Sequence, residues 1–506
     1  ALNPCRLLKK AGENFHSKSR FVHSLRLFPI SRQGTGNSPF VCERIKPEME
    51  DTVAAVSTPR GKGGVALLRV SGSEAIAVAS AVFLPKNGKP LSEAESRRAL
   101  YGQIRSADGE VIDDGLATVF RAPASFTGED TVEICCHGGI LLTETVLTAL
   151  FAAGARPAGA GEFTKRAFLN GKMDLSAAEA LGNLLEAQTR DQLILAHAGM
   201  GGRTGEKCRA IYEKLRHLLA SVYVTIDYPD EDLADMSREE ITAEFAGCAA
   251  ELRRLCDSYR TGHAIAEGVR TVICGKPNVG KSSLFNLLVG RDAAIVTDVE
   301  GTTRDVLTAS ASAGRVTLNL CDTAGLHDTE DRVEQIGVER TRGELERAEL
   351  VLAVFDASAS PDENDRKLID VLQKQPATVI AVCNKTDRTG GAVPAVWQGL
   401  FAHTVAVSAK SGEGMAELCH RIDGLFTDGA IDLREDAVLT GARQHAAALR
   451  ACAACEDGAA ALAAGYPLDA CCTDAEVAMS ALAELDGRAV SEDIVSEIFS
   501  HFCVGK

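Results

Sequence analysis

Residues 275–283 have the sequence GKPNVGKSS, and this stretch decides the fold of the central part of the chain. The apolar run 271–274 precedes it and predicts a buried strand, while the apolar residues that begin at Leu284 predict a helix. A G-x-x-x-x-G-K-S motif between a strand and a helix is typical of a phosphate-binding loop. Backbone N–H groups of the loop and the N-terminus of the helix would bind phosphate oxygens. Lys281 would contact the β- and γ-phosphates, and the Ser282 hydroxyl would bind Mg²⁺.

Two further motifs predict the groups that surround the γ-phosphate and Mg²⁺. Thr302 and Thr303 lie on a loop that begins at a glycine, as expected of a switch that closes over Mg²⁺. The sequence DTAG at 322–325 follows an apolar run, so Asp322 would end a strand and hold Mg²⁺ through water. Gly325 would donate its N–H to the γ-phosphate.

Two motifs nearer the C-terminus predict recognition of guanine. NKTD at 384–387 follows an apolar run, and the Asp387 carboxylate would accept both N–H groups on the Watson–Crick edge of guanine, a pair that adenine lacks. SAK at 408–410 follows another predicted strand and would close over the base. Together the motifs predict a Ras-like P-loop GTPase domain that binds GTP and Mg²⁺ through Asn278, Val279, Gly280, Lys281, Ser282, Ser283, Thr302, Thr303, Asp322, Thr323, Ala324, Gly325, Asn384, Lys385, Asp387, Ser408, Ala409 and Lys410.

The composition limits the class of protein. A chain of 506 residues with 45% hydrophobic residues should form two or three globular domains, and no apolar run is long enough to cross a membrane. The net charge of −16 argues against broad nonspecific nucleic-acid binding, so an RNA contact would need a local basic patch. The 16 cysteines lie mostly beside apolar residues, which indicates reduced thiols and a cytoplasmic location. Cys452 and Cys455 have the spacing of metal ligands, but no second pair accompanies them.

Residues 1–48 differ from the rest of the chain in charge. They carry nine lysines and arginines against three acids, a net charge of +6, whereas the remainder carries −22. One interpretation is an organellar presequence, which would place the protein in mitochondria. The other is an over-extended reading frame with the true start at Met49, which we favour because residue 1 is alanine and a new pattern begins after Met49.

The pattern of apolar residues predicts a multidomain α/β + α architecture. Strand-like and helix-like segments alternate in the first domain, and two amphipathic helical blocks flank the nucleotide domain. Ser176 and Ser237, each followed three residues later by glutamate, predict capping boxes at helix starts. We expect an extension at 1–48, an α+β domain at 49–168, a helical domain at 169–264 and 431–506, and a GTPase domain at 265–430 inserted into it.

From about residue 51 to its last residue, the chain resembles the tRNA modification GTPase family MnmE (TrmE). The resemblance depends on segments outside the nucleotide motifs, namely TPRGKGGVALLRVSG at 58–72, SFTGED at 125–130, HGG at 137–139, 157–172, YPDE at 228–231 and FCVGK at 502–506. It implies an N-terminal domain that binds a tetrahydrofolate and forms a homodimer. It also implies a flavoprotein partner, MnmG (GidA), in a heterotetramer. The pair would add a 5-carboxymethylaminomethyl-type group to the wobble uridine of certain tRNAs, with a one-carbon unit from 5,10-methylenetetrahydrofolate (or with 5-formyltetrahydrofolate bound).

The resemblance also implies roles for individual residues. Arg69, Glu133, Lys172 and Lys506 match folate-contacting positions, although without the resemblance we would favour ordinary surface ion pairs for Arg69, Glu133 and Lys172. Cys503 could be a nucleophile that captures a one-carbon unit, or a structural thiol. The K⁺ ligands of the family match Asn278, Thr297, Val299 and Thr302.

The catalytic group of the predicted GTPase domain must come from an unusual position. Leu326 follows the DTAG motif where Ras-like proteins place a water-orienting glutamine, and leucine cannot orient water. The resemblance assigns this task to Glu334, which could alternatively be a solvated glutamate at a helix start.

Two other functions share the nucleotide motifs. A ribosome-assembly GTPase of the Era or EngA type would not explain residues 51–172 or the FCVGK end. That assembly GTPase would also bind no folate. A GTP-gated scaffold whose helices bind a protein partner would bind GTP with negligible hydrolysis.

Overall fold

The structure is a computed structural model that describes residues 51–227, 236–291, 307–321, 343 and 345–505. A seven-stranded sheet forms the N-terminal part. Its strands are β1 (Val53–Val56), β2 (Ala66–Ser71), β3 (Phe83–Pro85), β4 (Ala99–Arg105), β5 (Val111–Phe120), β6 (Thr131–Cys136) and β7 (Arg156–Pro157), in the order β3-β4-β5-β6-β2-β1-β7. All neighbours are antiparallel except β1 and β7.

Two helices, α1 (Ala75–Val82) and α2 (Ile140–Ala152), pack on one face of this sheet. Leu68, Ile104 and Ile134 point into that core and are fully buried. Because side chains alternate along a strand, the neighbouring positions of β2, β4, β5 and β6 lie on the opposite face. A third helix, α3 (Glu162–Leu169), follows β7.

A block of four helices comes next, α4 (Leu175–Glu186), α5 (Arg190–Met200), α6 (Arg203–Asp227) and α7 (Arg238–Ala266). The capping box predicted at Ser237 is confirmed, since its hydroxyl accepts from the backbone N–H of Glu240 and the Glu240 carboxylate accepts from the Ser237 N–H. A further capping box, which we did not predict, begins α5 at Thr189.

The central part of the chain forms a six-stranded sheet with helices on both faces. Its elements are β8 (Val269–Cys274), α8 (Lys281–Arg291), β9 (Leu307–Ala313), β10 (Val316–Cys321), β11 (Leu350–Asp356), α9 (Glu363–Leu372), β12 (Thr378–Asn384), β13 (His403–Ala406) and α10 (Met415–Phe426). The strand order is β13-β12-β11-β8-β10-β9, and only β9 runs antiparallel to its neighbour. The carboxyl ends of β8, β11, β12 and β13 therefore meet at one edge, where ligands bind in such sheets.

Three helices follow, α11 (Ala442–Ala463), α12 (Ala470–Leu485) and α13 (Glu492–Ser500). Helices α11 and α12 share one apolar core with α6 and α7, so the helices before and after the central sheet pack together. Cys452 and Cys455 lie in this core, where burial raises the pKa of both thiols. The mixed α/β and α fold class predicted from the sequence is confirmed. None of the helices in the described ranges has the length and apolar character needed to span a membrane.

The capping box predicted at Ser176 is wrong. Helix α4 begins at Leu175 with Asp174 as its N-cap, whose carboxylate accepts from the N–H of Ala177 at 2.8 Å. Glu179 instead binds the guanidinium of Arg443 in α11 through two hydrogen bonds of 2.9 Å. The partner that overrides the local pattern lies 264 residues away in the sequence.

Candidate active site

The loop between β8 and α8 has the backbone shape of a phosphate-binding loop. Gly275 and Gly280 have φ values of +147° and +101°, and a Cβ at Gly280 would lie 2.1 Å from Nδ2 of Asn384. Asn278 has φ of +65°, a left-handed conformation that asparagine tolerates better than most residues. The two glycines are therefore required by backbone conformation and by the close approach of neighbouring groups.

Lys281 folds back over this loop. Its Nζ donates a hydrogen bond of 2.9 Å to the carbonyl oxygen of Lys276, and burial lowers its pKa. Ser282 and Ser283 are exposed in the first turn of α8, where backbone N–H groups have no partner within the helix. An ammonium group and helical N–H groups are thus directed at one position, which suits a phosphate group.

The NKTD and SAK segments are hydrogen-bonded to the phosphate loop through Asn384. This buried side chain donates from Nδ2 to the carbonyl oxygen of Val279 at 2.8 Å, and its Oδ1 accepts from the N–H of Ala409 at 2.9 Å. One amide therefore connects three segments, and its two partners lie 105 and 25 residues away in the sequence.

Lys385 makes a second connection between the base-binding side and the phosphate loop. Its Nζ donates to the carbonyl oxygen of Asn278 and to Oδ2 of Asp356, both at 2.7 Å. Asp356 ends β11 and was missed by the sequence analysis, although an aspartate directly after the apolar run 350–355 is the signal that could have found it.

Asp387 is held in a fixed orientation by Ser408. The buried Ser408 hydroxyl donates to Oδ1 of Asp387 at 3.0 Å, while Asp387 itself is exposed beside Lys385. Lys410 is also exposed, two residues beyond Ser408. The carboxylate and the SAK segment therefore lie side by side, as expected of a site that reads the edge of a base.

Several predicted site residues lie outside the described residues. They are Thr297, Val299, Thr302, Thr303, Asp322, Thr323, Ala324, Gly325, Glu334 and Lys506, together with the YPDE segment at 228–231. Of the predicted metal ligands, Ser282 and Asn278 are described, and both expose an oxygen-bearing side chain. Neutral oxygen ligands suit hard cations such as Mg²⁺ and K⁺.

A second group of predicted residues meets on the first sheet. Arg69 of β2 and Glu133 of β6 are register partners, and the Nε and Nη2 atoms of Arg69 donate to Oε1 of Glu133 at 3.0 and 2.7 Å. The Arg69 guanidinium also lies 5.2 Å from the ring centre of Phe126 and 5.5 Å from that of Phe163. The two residues form the ion pair that the sequence analysis left open. Neither aromatic ring was singled out from the sequence.

Lys172 contacts the loop that contains Phe126. Its Nζ donates to the carbonyl oxygen of Pro123 at 2.9 Å, and its side chain packs against Gly128. Phe126 lies between these two positions in the chain. The loop that contacts Arg69 is thus also held by Lys172.

The C-terminal tail lies against the first sheet. Val504 forms a bridge with Ala160, and the carbonyl oxygen of Gly505 accepts from the hydroxyl of Ser57 at 3.0 Å. The Cys503 side chain is exposed. Ser57 follows β1, in which Ala55 is the register partner of Arg69, so the tail approaches the strands that carry the Arg69–Glu133 pair.

Comparison with known proteins accounts for nearly the whole chain. The family model described as "GTP-binding protein TrmE N-terminus" matches residues 52–172, and the "MnmE helical domain" model matches residues 175–503. The chain is 40% identical over 463 residues to the tRNA modification GTPase MnmE of Carboxydothermus hydrogenoformans, an alignment that covers 90% of this chain and 100% of the relative. It is 42% identical over 459 residues to the MnmE of Symbiobacterium thermophilum, with the same coverage of both.

Solved structures also match part of the chain. Aquifex aeolicus Era bound to GDP.AlF4- is 26% identical, with a TM-score of 0.26, over 37% of this chain and 66% of the Era chain. The match to the TrmE N-terminus over residues 52–172 sets aside the ribosome-assembly alternative. The GTPase relatives likewise set aside a scaffold without hydrolysis.

Proposed function

This chain belongs to the MnmE family of tRNA modification GTPases, and from that premise we propose that its GTP hydrolysis serves the addition of a 5-carboxymethylaminomethyl-type group to the wobble uridine of certain tRNAs. The structural observation that supports GTP binding is the connection made by Asn384 between the phosphate loop and both base-binding segments, and the tRNA-modification part of the proposal depends on the family. Because one buried amide fixes all three segments, the phosphate and base sites form a single unit that GTP can span.

Asp387 selects guanine in this proposal. With Oδ1 held by the Ser408 hydroxyl, its carboxylate keeps one orientation in which it accepts from the N1–H and the exocyclic amine of guanine. Adenine would leave that carboxylate unpaired, and an unpaired polar group in a binding site discriminates strongly.

Hydrolysis requires groups that stabilise charge on the phosphates. Lys281 leaves the carbonyl oxygen of Lys276 and binds the β- and γ-phosphates, and Glu334 orients the attacking water. Mg²⁺ would be held by the hydroxyls of Ser282 and Thr303, with Asp322 acting through water. K⁺ would be held by Asn278, Thr297, Val299 and Thr302. Bound there, the two cations would offset the negative charge that develops between the β- and γ-phosphates.

The N-terminal domain binds the tetrahydrofolate that supplies the one-carbon unit in this proposal. Support comes from the Arg69–Glu133 pair, in which Arg69 engages Oε1 of Glu133 and, within the described residues, Oε2 makes no hydrogen bond. That oxygen can accept pterin N–H groups, while Arg69, Lys172 and Lys506 provide positive charge for the acidic tail of a folate. The tail brings the exposed Cys503 towards these strands, where it is either the nucleophile for the one-carbon unit or a structural thiol.

Further proposals concern partners and domain limits. Tyr101 and Leu116 are register partners and are 50% and 43% exposed, an apolar surface that would suit a homodimer contact. The flavoprotein MnmG (GidA), in a heterotetramer, and tRNA are the other proposed partners, in the cytoplasm. The proposed domains are 49–168, 169–264 with 431–506, and 265–430.

The test is nucleotide selectivity. We expect the full chain to bind GTP at least about 100-fold more tightly than ATP. Asp387→Asn should remove that preference, whereas the matched control Asp370→Asn, an exposed aspartate on α9, should retain it. Comparable affinities for GTP and ATP in the unsubstituted protein would refute the role of Asp387.

A further inference from the structure

Lys276, the second residue of the phosphate loop, is tied to the acidic start of α9. Its Nζ donates to Oδ2 of Asp362 at 2.7 Å and to Oδ2 of Asp365 at 2.8 Å. The two aspartates also hold each other through a capping box, since the N–H of each donates to the carboxylate of the other at 3.1 and 2.9 Å. The phosphate loop and the first turn of α9 therefore form one hydrogen-bonded unit.

Asp365 needs the lysine because it is buried. It is only 1% exposed, and its Oδ1 makes no hydrogen bond within the described part of the chain. Lys276 is the one cation that pairs with it among the described residues. A buried carboxylate without a compensating charge is strongly destabilising, so the position of Lys276 is set by Asp365 as much as by the loop itself.

The segment 356–365 is connected to the phosphate loop through three aspartates, Asp356, Asp362 and Asp365. Lys385 connects Asp356 to the carbonyl oxygen of Asn278, and Lys276 connects the loop to Asp362 and Asp365. The carbonyl oxygen of Lys276 in turn accepts from Nζ of Lys281. The left-handed backbone at Asn278 is thus held at its own carbonyl oxygen by Lys385, which pairs with Asp356, and it lies two residues after Lys276, which pairs with Asp362 and Asp365.

We propose that Lys276 is a positioning residue for the nucleotide, and that its ion pair with Asp365 holds the phosphate loop in its binding conformation before GTP arrives. A loop that is already ordered does not lose conformational freedom on binding, which improves affinity. The effect is the same for GTP in the ground state and in the transition state, so it changes KM and leaves kcat nearly constant. This inference depends on the proposed function, because it concerns the same nucleotide site.

The test uses the full chain with Lys276→Met and Lys276→Arg. We expect Lys276→Met to raise the KM for GTP and the Kd for GDP about tenfold, with kcat within about twofold of the unsubstituted value. Lys276→Arg keeps the charge and should restore most of the affinity. Lys367→Met is the matched control. It removes an exposed lysine of α9 that pairs with Glu363, and no contact between that lysine and the phosphate loop is seen in the described part of the chain.

Asp365→Asn separates positioning from direct contact with phosphate. It removes the ion pair and should weaken GDP binding about as much as Lys276→Met, and the double variant should bind no more weakly than either single one. If Lys276→Met does not fold, Asp365→Asn decides the question alone. Unchanged affinity in these variants, or a further loss in the double variant, would overturn the inference. Failure of the unsubstituted protein to bind GTP would overturn the proposed function and the inference with it.

Discussion

Replacement of Asn384 by alanine should separate the phosphate loop from the base-binding segments. Asn384 is 3% exposed, and the change removes its hydrogen bonds to the carbonyl oxygen of Val279 and from the N–H of Ala409. Each bond contributes about 1 kcal/mol net, and each partner that is left buried and unpaired adds a further penalty of about 1 kcal/mol or more. The combined loss is about 2–4 kcal/mol, which corresponds to a decrease of about 30- to 1,000-fold in an equilibrium constant.

The loss should appear in two measurements. Titration with a fluorescent GDP analogue would report nucleotide affinity. Denaturant unfolding of the same variant without nucleotide would report how far its free energy of unfolding has decreased. Asn384→Asp keeps the acceptor for Ala409 but directs a carboxylate oxygen at the carbonyl of Val279, so we expect it to be at least as damaging.

Gln398 provides the matched control for this change. Its Nε2 donates to the carbonyl oxygen of Val393 at 2.9 Å in an exposed position, so Gln398→Ala should change stability by less than about 0.5 kcal/mol. An Asn384→Ala protein that binds GDP as tightly as the unsubstituted chain, with an unchanged unfolding midpoint, would refute the view that one amide couples the two halves of the site.

Four other outcomes are expected. Glu334→Ala should keep nucleotide binding and lose most turnover, and unchanged hydrolysis would assign the water-orienting role to another residue. K⁺ should stimulate turnover more than Na⁺ at matched ionic strength, and equal rates would count against a K⁺ site. The full-length protein should bind a reduced folate at least about tenfold more tightly than its Arg69→Ala variant, because the guanidinium contributes a charge-assisted hydrogen bond, and no binding by either would refute the folate proposal. Glu267 and Glu349, at 3.3 and 3.6 Å from the ring nitrogens of His263, raise its pKa from 6.5 to about 10. Because the pKa is raised in the folded state, this stabilisation is fully present below about pH 6.5 and disappears as the pH rises through about 10. The free energy of unfolding of His263→Asn should therefore depend less on pH over that range than that of the unsubstituted protein, as measured by denaturant unfolding at several pH values.

Asn384 and Asp387 illustrate what local sequence predicts well. Each lies at or just after the end of an apolar run, and in a parallel sheet the ends of neighbouring strands meet at one edge. The proximity of the NKTD and SAK segments to the phosphate loop can therefore be predicted from the sequence without knowledge of the strand order. The hydrogen bonds from Asn384 were not predicted, because they depend on the distance between three loops rather than on any one of them.

Glu179 and Asp365 illustrate what local sequence predicts poorly. Glu179 ends the capping box that was predicted at Ser176, and Asp365 lies in the first turn of α9. An acidic side chain in such a helix-start pattern normally caps the helix or faces solvent. The tertiary fold gives Glu179 the guanidinium of Arg443 and gives Asp365 the ammonium of Lys276, partners 264 and 89 residues away. Each acid lies within a local helix-start pattern, yet each also pairs with a charge that only the packing of distant elements brings near.

At Gly505 of the C-terminal tail, local sequence predicted the residue's importance only through a family resemblance, and the folded structure supplies the physical reason. As sequence, a glycine before a terminal lysine carries no structural information, and its value came only from a family resemblance. In the folded chain Gly505 has φ of +101°, and a Cβ there would lie 2.3 Å from the carbonyl oxygen of Val56. The position accepts only glycine because the tail passes against β1. The Ser57 hydroxyl, which donates to the Gly505 carbonyl oxygen, belongs to a residue 448 positions earlier in the sequence. The physical reason for the residue therefore lies in a long-range contact that holds the helical end of the chain on the sheet that carries Arg69 and Glu133.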